Sequence, residues 1–240
     1  MIDWLRRDRA DPRILLSGRE LPIAIRRHAR ARRMTMRLAP DGSEVRITLP
    51  RWGRTGEAVD FARNRADWLE AQLARLGAAS PPEPGGTLRY RGAELAIAWE
   101  ARAPRRPLRE GPALRVGGPR DGLVPRLQRW LEGEALALMQ EDLAFYCARA
   151  RQSVPALRLS RAQRRWGSCA GDGTIRINWR LVQAPDAVRR SVVAHEVAHL
   201  VHFDHGPAFH ALLAELYEGD LRAANRWLRE HGRTLYAHFG

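Results

Sequence analysis

The stretch Val192-Val193-Ala194-His195-Glu196-Val197-Ala198-His199-Leu200-Val201 constrains this chain more than any other segment. Val193, Ala194, Val197, Ala198 and Leu200 are small or apolar, which suits a helix buried against a sheet. Such a helix cannot carry two imidazoles and a carboxylate without partners, because an unpartnered polar group inside a protein costs free energy. Histidines at i and i+4 project from one helical face, so His195 and His199 can reach a single ion. Glu196 follows the first of them, which sets its carboxylate beside that ion, where it can take a proton from a water. The competing reading, two solvated histidines on an amphipathic helix, is weakened by the apolar neighbours.

A catalytic zinc needs a third protein ligand and an open fourth position. His202, His205 and His210 lie downstream. In a continuing helix His202 points well round from the ion and reads as a solvated or capping residue. His205 precedes Gly206-Pro207, which must end one helix and start another, and a ligand in such a turn can fold back onto the metal. His205 is therefore the expected third ligand, with His210, one turn into the next helix, in reserve.

The rest of the chain supplies a frame for that helix. Strand-like runs cover Leu21 to Arg27, Met34 to Leu38 and Val45 to Leu49, and the last two flank Pro40-Asp41-Gly42-Ser43 as a hairpin. Apolar residues at helical spacing predict one helix from Thr55 to Leu76 with Thr55 as N-cap. Ala79 to Gly86 reads as a linker, followed by short strands at Thr87 to Tyr90, Leu95 to Trp99 and Ala113 to Val116. A long helix is expected from Asp121 to Arg151, then strands at Val154 to Ser160 and Thr174 to Asn178 around the turn Ala170-Gly171-Asp172-Gly173. Helices are expected from Asp186 to about His202, Pro207 to Tyr217 and Asp220 to His231. No repeat at solenoid periods is evident. The reading is an α+β protein: a β-rich region with one helix over 1–80, linker and short strands over 81–120, and the metal-bearing domain over 121–240.

Composition narrows the function classes. No run of 18 or more apolar residues occurs, which argues against a helical membrane span. The first residues carry no apolar segment with a small-residue cleavage site, so no secretory signal is read and a cytoplasmic location is expected. Two cysteines make no disulfide framework; Cys147 is expected in the core. All 41 basic residues are arginine, against 27 acidic ones, giving a net charge of +14. A compositional swap of arginine for lysine explains the missing lysine but not the excess charge. DNA or another polyanion on an arginine-rich surface is therefore kept as a partner beside a protein or peptide substrate.

Arg165-Trp166-Gly167-Ser168-Cys169, Gly173 to Asn178, Leu181, Pro185, His195 to Leu200 and His205-Gly206-Pro207-Ala208-Phe209 together resemble the YgjP-like metallopeptidases. These belong with small zincins that include SprT and Spartan-type proteases. The resemblance covers Leu157 to Leu216 and extends to Leu21 to Leu76. It implies a zincin-like fold, a zinc cofactor, peptidase activity and His205 as third ligand. His210 departs from the family pattern, which commonly has an aromatic residue there. For Spartan-type relatives the implied substrate is protein crosslinked to DNA.

The expected reaction is peptide-bond hydrolysis with Glu196 as base and then general acid. Arg165, Tyr217 and His210 are candidate oxyanion donors. Gly167 would permit close backbone approach, and Trp166 would wall the cleft or join the core. Ser168 reads as a turn hydroxyl, Cys169 as a structural thiol or a switch at the metal, and Asn178 as a backbone partner near the site. Two alternatives stand beside this: a DNA-associated protease acting on DNA-bound protein, and a non-catalytic zinc-stabilised interaction module.

Overall fold

A computed structural model describes residues 12–39, 42–76 and 81–239. The chain divides into two compact units at the boundary between residues 80 and 81. Both are built from small sheets and helices, so the protein is α+β. The N-terminal residues 1–11, Pro40, Asp41, and the first part of the expected linker through Ser80 lie outside the described residues.

In the first unit, β1 (Arg13–Leu16), β2 (Arg19–Arg27), β3 (Thr35–Leu38) and β4 (Val45–Leu49) form a sheet in the order β1-β2-β4-β3. The β3–β4 hairpin is antiparallel, with Leu38 opposite Val45, and Gly42 supplies a positive φ in its turn. Alternation places Val45, Ile47 and Leu49 on the buried face with Ile14, Leu16, Leu21 and Ile23. The single helix expected over Thr55 to Leu76 is two: α1 (Thr55–Arg63) and α2 (Ala66–Leu76). Arg65 bonds back to the Ala62 carbonyl at 3.1 Å, a tightened turn that ends α1. Both helices feed the same core through Ala58, Ala62 and Leu69, so the apolar period runs across the break. The N-cap is Arg54, whose amide donates to Glu57 at 3.0 Å, while the Thr55 hydroxyl accepts from Arg27 at 2.9 Å.

The second unit opens with β5 (Thr87–Tyr90), β6 (Ala93–Trp99), β7 (Leu108–Glu110) and β8 (Ala113–Val116) in the order β5-β6-β8-β7. Residues 81–120 thus form a complete sheet that shares one core with the rest of the unit. Its pairing directions repeat those of the first sheet: an antiparallel hairpin, a parallel centre, an antiparallel edge. The sequence repeats with it. Gly18-Arg19-Glu20-Leu21-Pro22-Ile23-Ala24 matches Gly92-Ala93-Glu94-Leu95-Ala96-Ile97-Ala98, and each opening hairpin turns on two positive-φ residues, Ser17-Gly18 and Arg91-Gly92. The left-handed pair gives the turn the twist that the flanking strands require.

The second β-hairpin is tied to the segment that launches the metal-motif helix. Arg91 and Gly92 amides donate to the Val182 and Gln183 carbonyls at 2.8 and 3.1 Å. After a long helix α3 (Leu123–Arg149), a sheet of β9 (Leu157–Ser160), β10 (Gly167–Cys169) and β11 (Ile175–Asn178) has the order β10-β11-β9. The glycine-containing turn after Cys169 therefore joins β10 to β11, whereas β9 runs parallel to β11. Helix α4 (Asp186–Ala198) packs against α3, β10, β11 and the helices α5 (Pro207–Leu216) and α6 (Leu221–His231). Val188, Val193, Ala194, Val197 and Ala198 are buried, and so are Arg189, Ser191 and Glu196, so the helix is enclosed on most sides. A buried ion pair, Arg189 to Asp142 at 2.7 Å, fastens its first turns to α3. Burial pushes Asp142 up despite the arginines beside it.

Candidate metal centre

Helix α4 ends where the site begins. His195 is on its last turn and His199 is its C-cap. The chain then turns through residues 200–206, where the Asp204 carboxylate accepts from the Gly206 amide at 3.2 Å, and Pro207 starts α5. This turn brings His205 back over α4. Nε2 of His195 lies 3.2 Å from Nε2 of His199 and 3.3 Å from Nε2 of His205, and one ligand atom from each ring falls within 4.8 Å of the other two. A tetrahedral ion with ligand bonds of about 2.0–2.1 Å places neighbouring nitrogens about 3.3–3.4 Å apart, so two of these separations fit a shared ion.

The protonation pattern agrees with the distances. The His202 carbonyl, 3.0 Å from Nδ1 of His199, can only accept, so the His199 proton sits on Nδ1 and Nε2 presents a lone pair. Burial and the nearby rings of His199, His205 and His210 push His195 down to about 4, leaving it neutral near pH 7. Phe209, fully buried, backs all three ligand rings at centroid distances of 5.0, 4.6 and 4.8 Å.

Glu196, the next residue along α4, borders the same cleft as the three histidines, under Gly167 of β10. The residue is 5 % exposed, and burial raises its carboxyl to about 7, with the Cys169 amide and the Arg165 charge acting the opposite way. The Cys169 N–H donates to the carboxylate, and Oε2 has no hydrogen-bond partner among the described residues. Gly167 lies directly over the same side chain: a Cβ there would overlap Oε1 and sit 2.7 and 2.8 Å from Cγ and Cδ. What approaches Gly167 closely is therefore the Glu196 side chain. The β10–β11 ladder turns the Trp166 carbonyl and Ala170 amide toward β11, at 2.7 Å to Asn178 and 3.0 Å to Thr174. Gly167 and Cys169 consequently present their backbone groups to the opposite edge, which no strand covers among the described residues.

Two clefts meet at His195 and Glu196. One, of about 300 Å³, is bordered by Arg165, Ser168, Cys169, His199, Phe203 and His205. The other, of about 270 Å³, is bordered by Trp166, Ser191, Val192, Leu213, Leu221 and Leu228. Arg165 lines both. Trp166 is half-buried, both wall and core, packed on Tyr236 at 5.9 Å. Asn178 is buried and donates to the Ala162 carbonyl at 2.7 Å, which anchors the loop leading to Arg165. The Cys169 thiol is pushed above its ordinary value by burial and by Glu196 and Asp172.

Two expected site residues are not brought in. The Tyr217 hydroxyl donates to the Ala187 carbonyl at 2.8 Å, two turns before His195, and borders neither cleft. His210 is exposed, its ring 6.5 Å from that of His205 and outside the converging set. Sequence reasoning missed the His202 carbonyl and the Cys169 amide, since backbone groups leave no residue signature. Phe209 was noted only as part of a motif.

A family model for the YgjP-like metallopeptidase domain matches residues 32–231. Neither the curated proteins nor the solved structures gave a match. No helix among the described residues is long and apolar enough to cross a membrane.

Proposed function

Since the chain belongs to the YgjP-like metallopeptidase family, we propose that it hydrolyses peptide bonds as a zinc enzyme of zincin type, with His195, His199 and His205 as ligands and Glu196 as proton carrier. The observation that carries this reading is the convergence of three Nε2 atoms beside a buried carboxylate with one free oxygen. When bound, a zinc ion supplies Lewis acidity to the attacking water and the scissile carbonyl. Three imidazole nitrogens suit zinc, and the exposed side of His205 leaves room for a fourth position.

Glu196 does the proton work. Oε2 accepts a proton from the attacking water, while the Cys169 N–H holds the other oxygen and fixes the carboxylate plane. An acid poised at about 7 can both take that proton and release it to the leaving amine nitrogen. The open edge of β10 offers the Gly167 amide and carbonyl to an extended substrate backbone, a strand-addition contact. Trp166, Val192, Leu213, Leu221 and Leu228 suit an apolar side chain next to the cleaved bond. Arg165, bordering both clefts, is the oxyanion donor favoured over Tyr217, whose hydroxyl is already engaged.

The test pairs metal quantification with cleavage of unfolded casein. Glu196→Gln is expected to keep stoichiometric zinc and lose hydrolysis by at least about 1,000-fold. His205→Ala is expected to lose the metal and His210→Ala to keep it. Full activity in Glu196→Gln, or stoichiometric zinc in His205→Ala, refutes the assignment.

A further inference from the structure

A second cavity, remote in composition from the metal centre, lies between one face of α3 and the loop joining β6 to β7. It measures about 640 Å³ and is bordered by Arg105, Arg106, Arg126, Arg129, Trp130 and Glu134, with Gly133 in its floor. Four arginines and one glutamate therefore border it, and Glu134 already accepts from the Tyr90 hydroxyl at 2.6 Å. Arg105, Arg106 and Arg129 have no carboxylate partner among the described residues. Arg126 donates to the Pro119 carbonyl, and its buried Nε has no acceptor there. Unpaired guanidiniums around a cavity of this size repel one another unless an anion enters.

Three further features point to a ligand with both phosphate and a flat ring. The loop is not a loose tether: Gly117 donates to the Pro104 carbonyl at 2.8 Å, Gly118 to Ala101 at 3.2 Å, and Trp99 to Gly118 at 3.1 Å. The backbone just before Arg105 and Arg106 is thus fixed. Trp130 is half-buried and braced by Tyr90, ring centroids 5.1 Å apart, which makes its indole a fixed stacking surface. Gly133 sits inside α3, where glycine costs about 1 kcal/mol relative to alanine, yet a Cβ there would meet nothing within 4 Å. Packing does not require this glycine. It keeps the cavity floor open.

We infer that this cavity binds a nucleoside phosphate, with the base stacked on Trp130 and phosphates on Arg105, Arg106 and Arg129, supplied either by a single-stranded nucleic acid or by a free nucleotide. The volume lies in the range of sites for ligands much larger than an inorganic anion. This site is independent of hydrolysis, and its test measures binding alone.

Fluorescence anisotropy on the full chain decides it, with a labelled oligothymidylate of about twelve nucleotides and, separately, a fluorescent ATP analogue. Three phosphate contacts predict an oligonucleotide affinity that falls roughly 20-fold between 50 and 200 mM salt. Arg106→Glu/Arg129→Glu is expected to weaken binding at least about tenfold. Gly133→Leu, which fills the floor with a better helix former, is expected to do the same while the melting temperature holds or rises. The control is Arg32→Glu/Arg33→Glu, which removes an arginine pair from the matching loop between β2 and β3 of the first unit, and is expected to change binding less than about twofold. Variant-sensitive binding of the oligonucleotide alone assigns the strand, and of the analogue alone assigns the free nucleotide. Failure of both probes to bind at low salt overturns the inference, as does an equal loss in the control.

Discussion

Replacing Gly167 by alanine tests the site's geometry without touching a ligand or the proton carrier. A methyl group on Gly167 would lie 2.7 Å from Cγ and 2.8 Å from Cδ of Glu196, whereas ordinary contact begins near 3.4 Å. The glutamate carbons must therefore move by about 0.7 Å, or β10 must lift by as much. Neither is free: Glu196 is held by the Cys169 amide, and β10 is held by its ladder to β11. Misplacing a catalytic group by about 1 Å costs on the order of 100-fold, so a loss of roughly 10- to 100-fold in kcat is expected, or about 1.4–2.7 kcal/mol of transition-state stabilisation. The overpacking itself costs about 1–3 kcal/mol of stability. The assay is casein hydrolysis alongside metal content, and zinc should stay stoichiometric because the three histidines lie outside the clash. Gly171→Ala is the matched control: it is in the turn of the same hairpin, and its Cβ would meet nothing within 4 Å. Activity of Gly167→Ala within about threefold of wild type, or an equal loss in Gly171→Ala, refutes the claim that β10 positions Glu196 by contact.

Removing Asp142 should expose the cost of a buried guanidinium. Asp142→Asn leaves Arg189, 3 % exposed at its side chain, with only Asp186, and a loss of about 3 kcal/mol is expected, read as a fall of about 6–12 °C in a thermal melt. Asp186 carries a pH signature. Burial alone would raise it, but hydrogen bonds and charges from Arg91 and Arg189 more than offset this and hold it below its ordinary value. A carboxyl lowered on folding adds stability above its unfolded value near 3.9 and loses it as pH falls through the folded value. The deficit of Asp186→Asn in urea midpoint should therefore be full at pH 6 to 7 and shrink below about pH 4; a constant deficit across that range contradicts the ion pairing. Chelation should lower the melting temperature of the metal-loaded protein. At zinc 100 times its Kd the linkage is about 2.7 kcal/mol, or about 5–11 °C, and His205→Ala should show no such response.

The parts legible in the sequence were those whose signal is local. Helix α4 is readable because His195, Glu196 and His199 interrupt an apolar run at helical spacing, and the turn after it because Gly206-Pro207 can neither continue one helix nor avoid starting the next. The strands β5 and β8 were read with their observed limits, since each alternates over four residues between turn residues. The misses have equally physical causes. β10 has three residues and β7 has three, too few for a two-residue period to show. The break between α1 and α2 is a single tightened turn inside a continuous apolar stripe. Tyr217 looked available because a sequence cannot display that its hydroxyl reaches the Ala187 carbonyl.

The duplicated sheets bring out a different limit. The positions that repeat between the copies include the turn glycine, the inward leucine and isoleucine of β2 and β6, the run Ala29-Arg30-Ala31-Arg32-Arg33 against Ala101-Arg102-Ala103-Pro104-Arg105-Arg106, and Trp68-Leu69-Glu70 against Trp130-Leu131-Glu132. The metal centre is built from parts that follow the repeat, whereas the basic cavity uses its repeated loop and helix. The metal centre needs α4 and the turn behind it; the basic cavity lies on α3, where Trp130-Leu131-Glu132 repeats Trp68-Leu69-Glu70 of α2 but Gly133 stands in place of Ala71. A repeat thus supplies a stable platform twice, whereas the chemistry depends on what is packed on it. The two contacts that orient the metal centre most directly, the His202 carbonyl on His199 and the Cys169 amide on Glu196, are backbone groups. Side-chain substitution at those two positions should leave both contacts in place, while a shift of β10 by one residue would carry the Cys169 amide away from Glu196 and turn it toward β11.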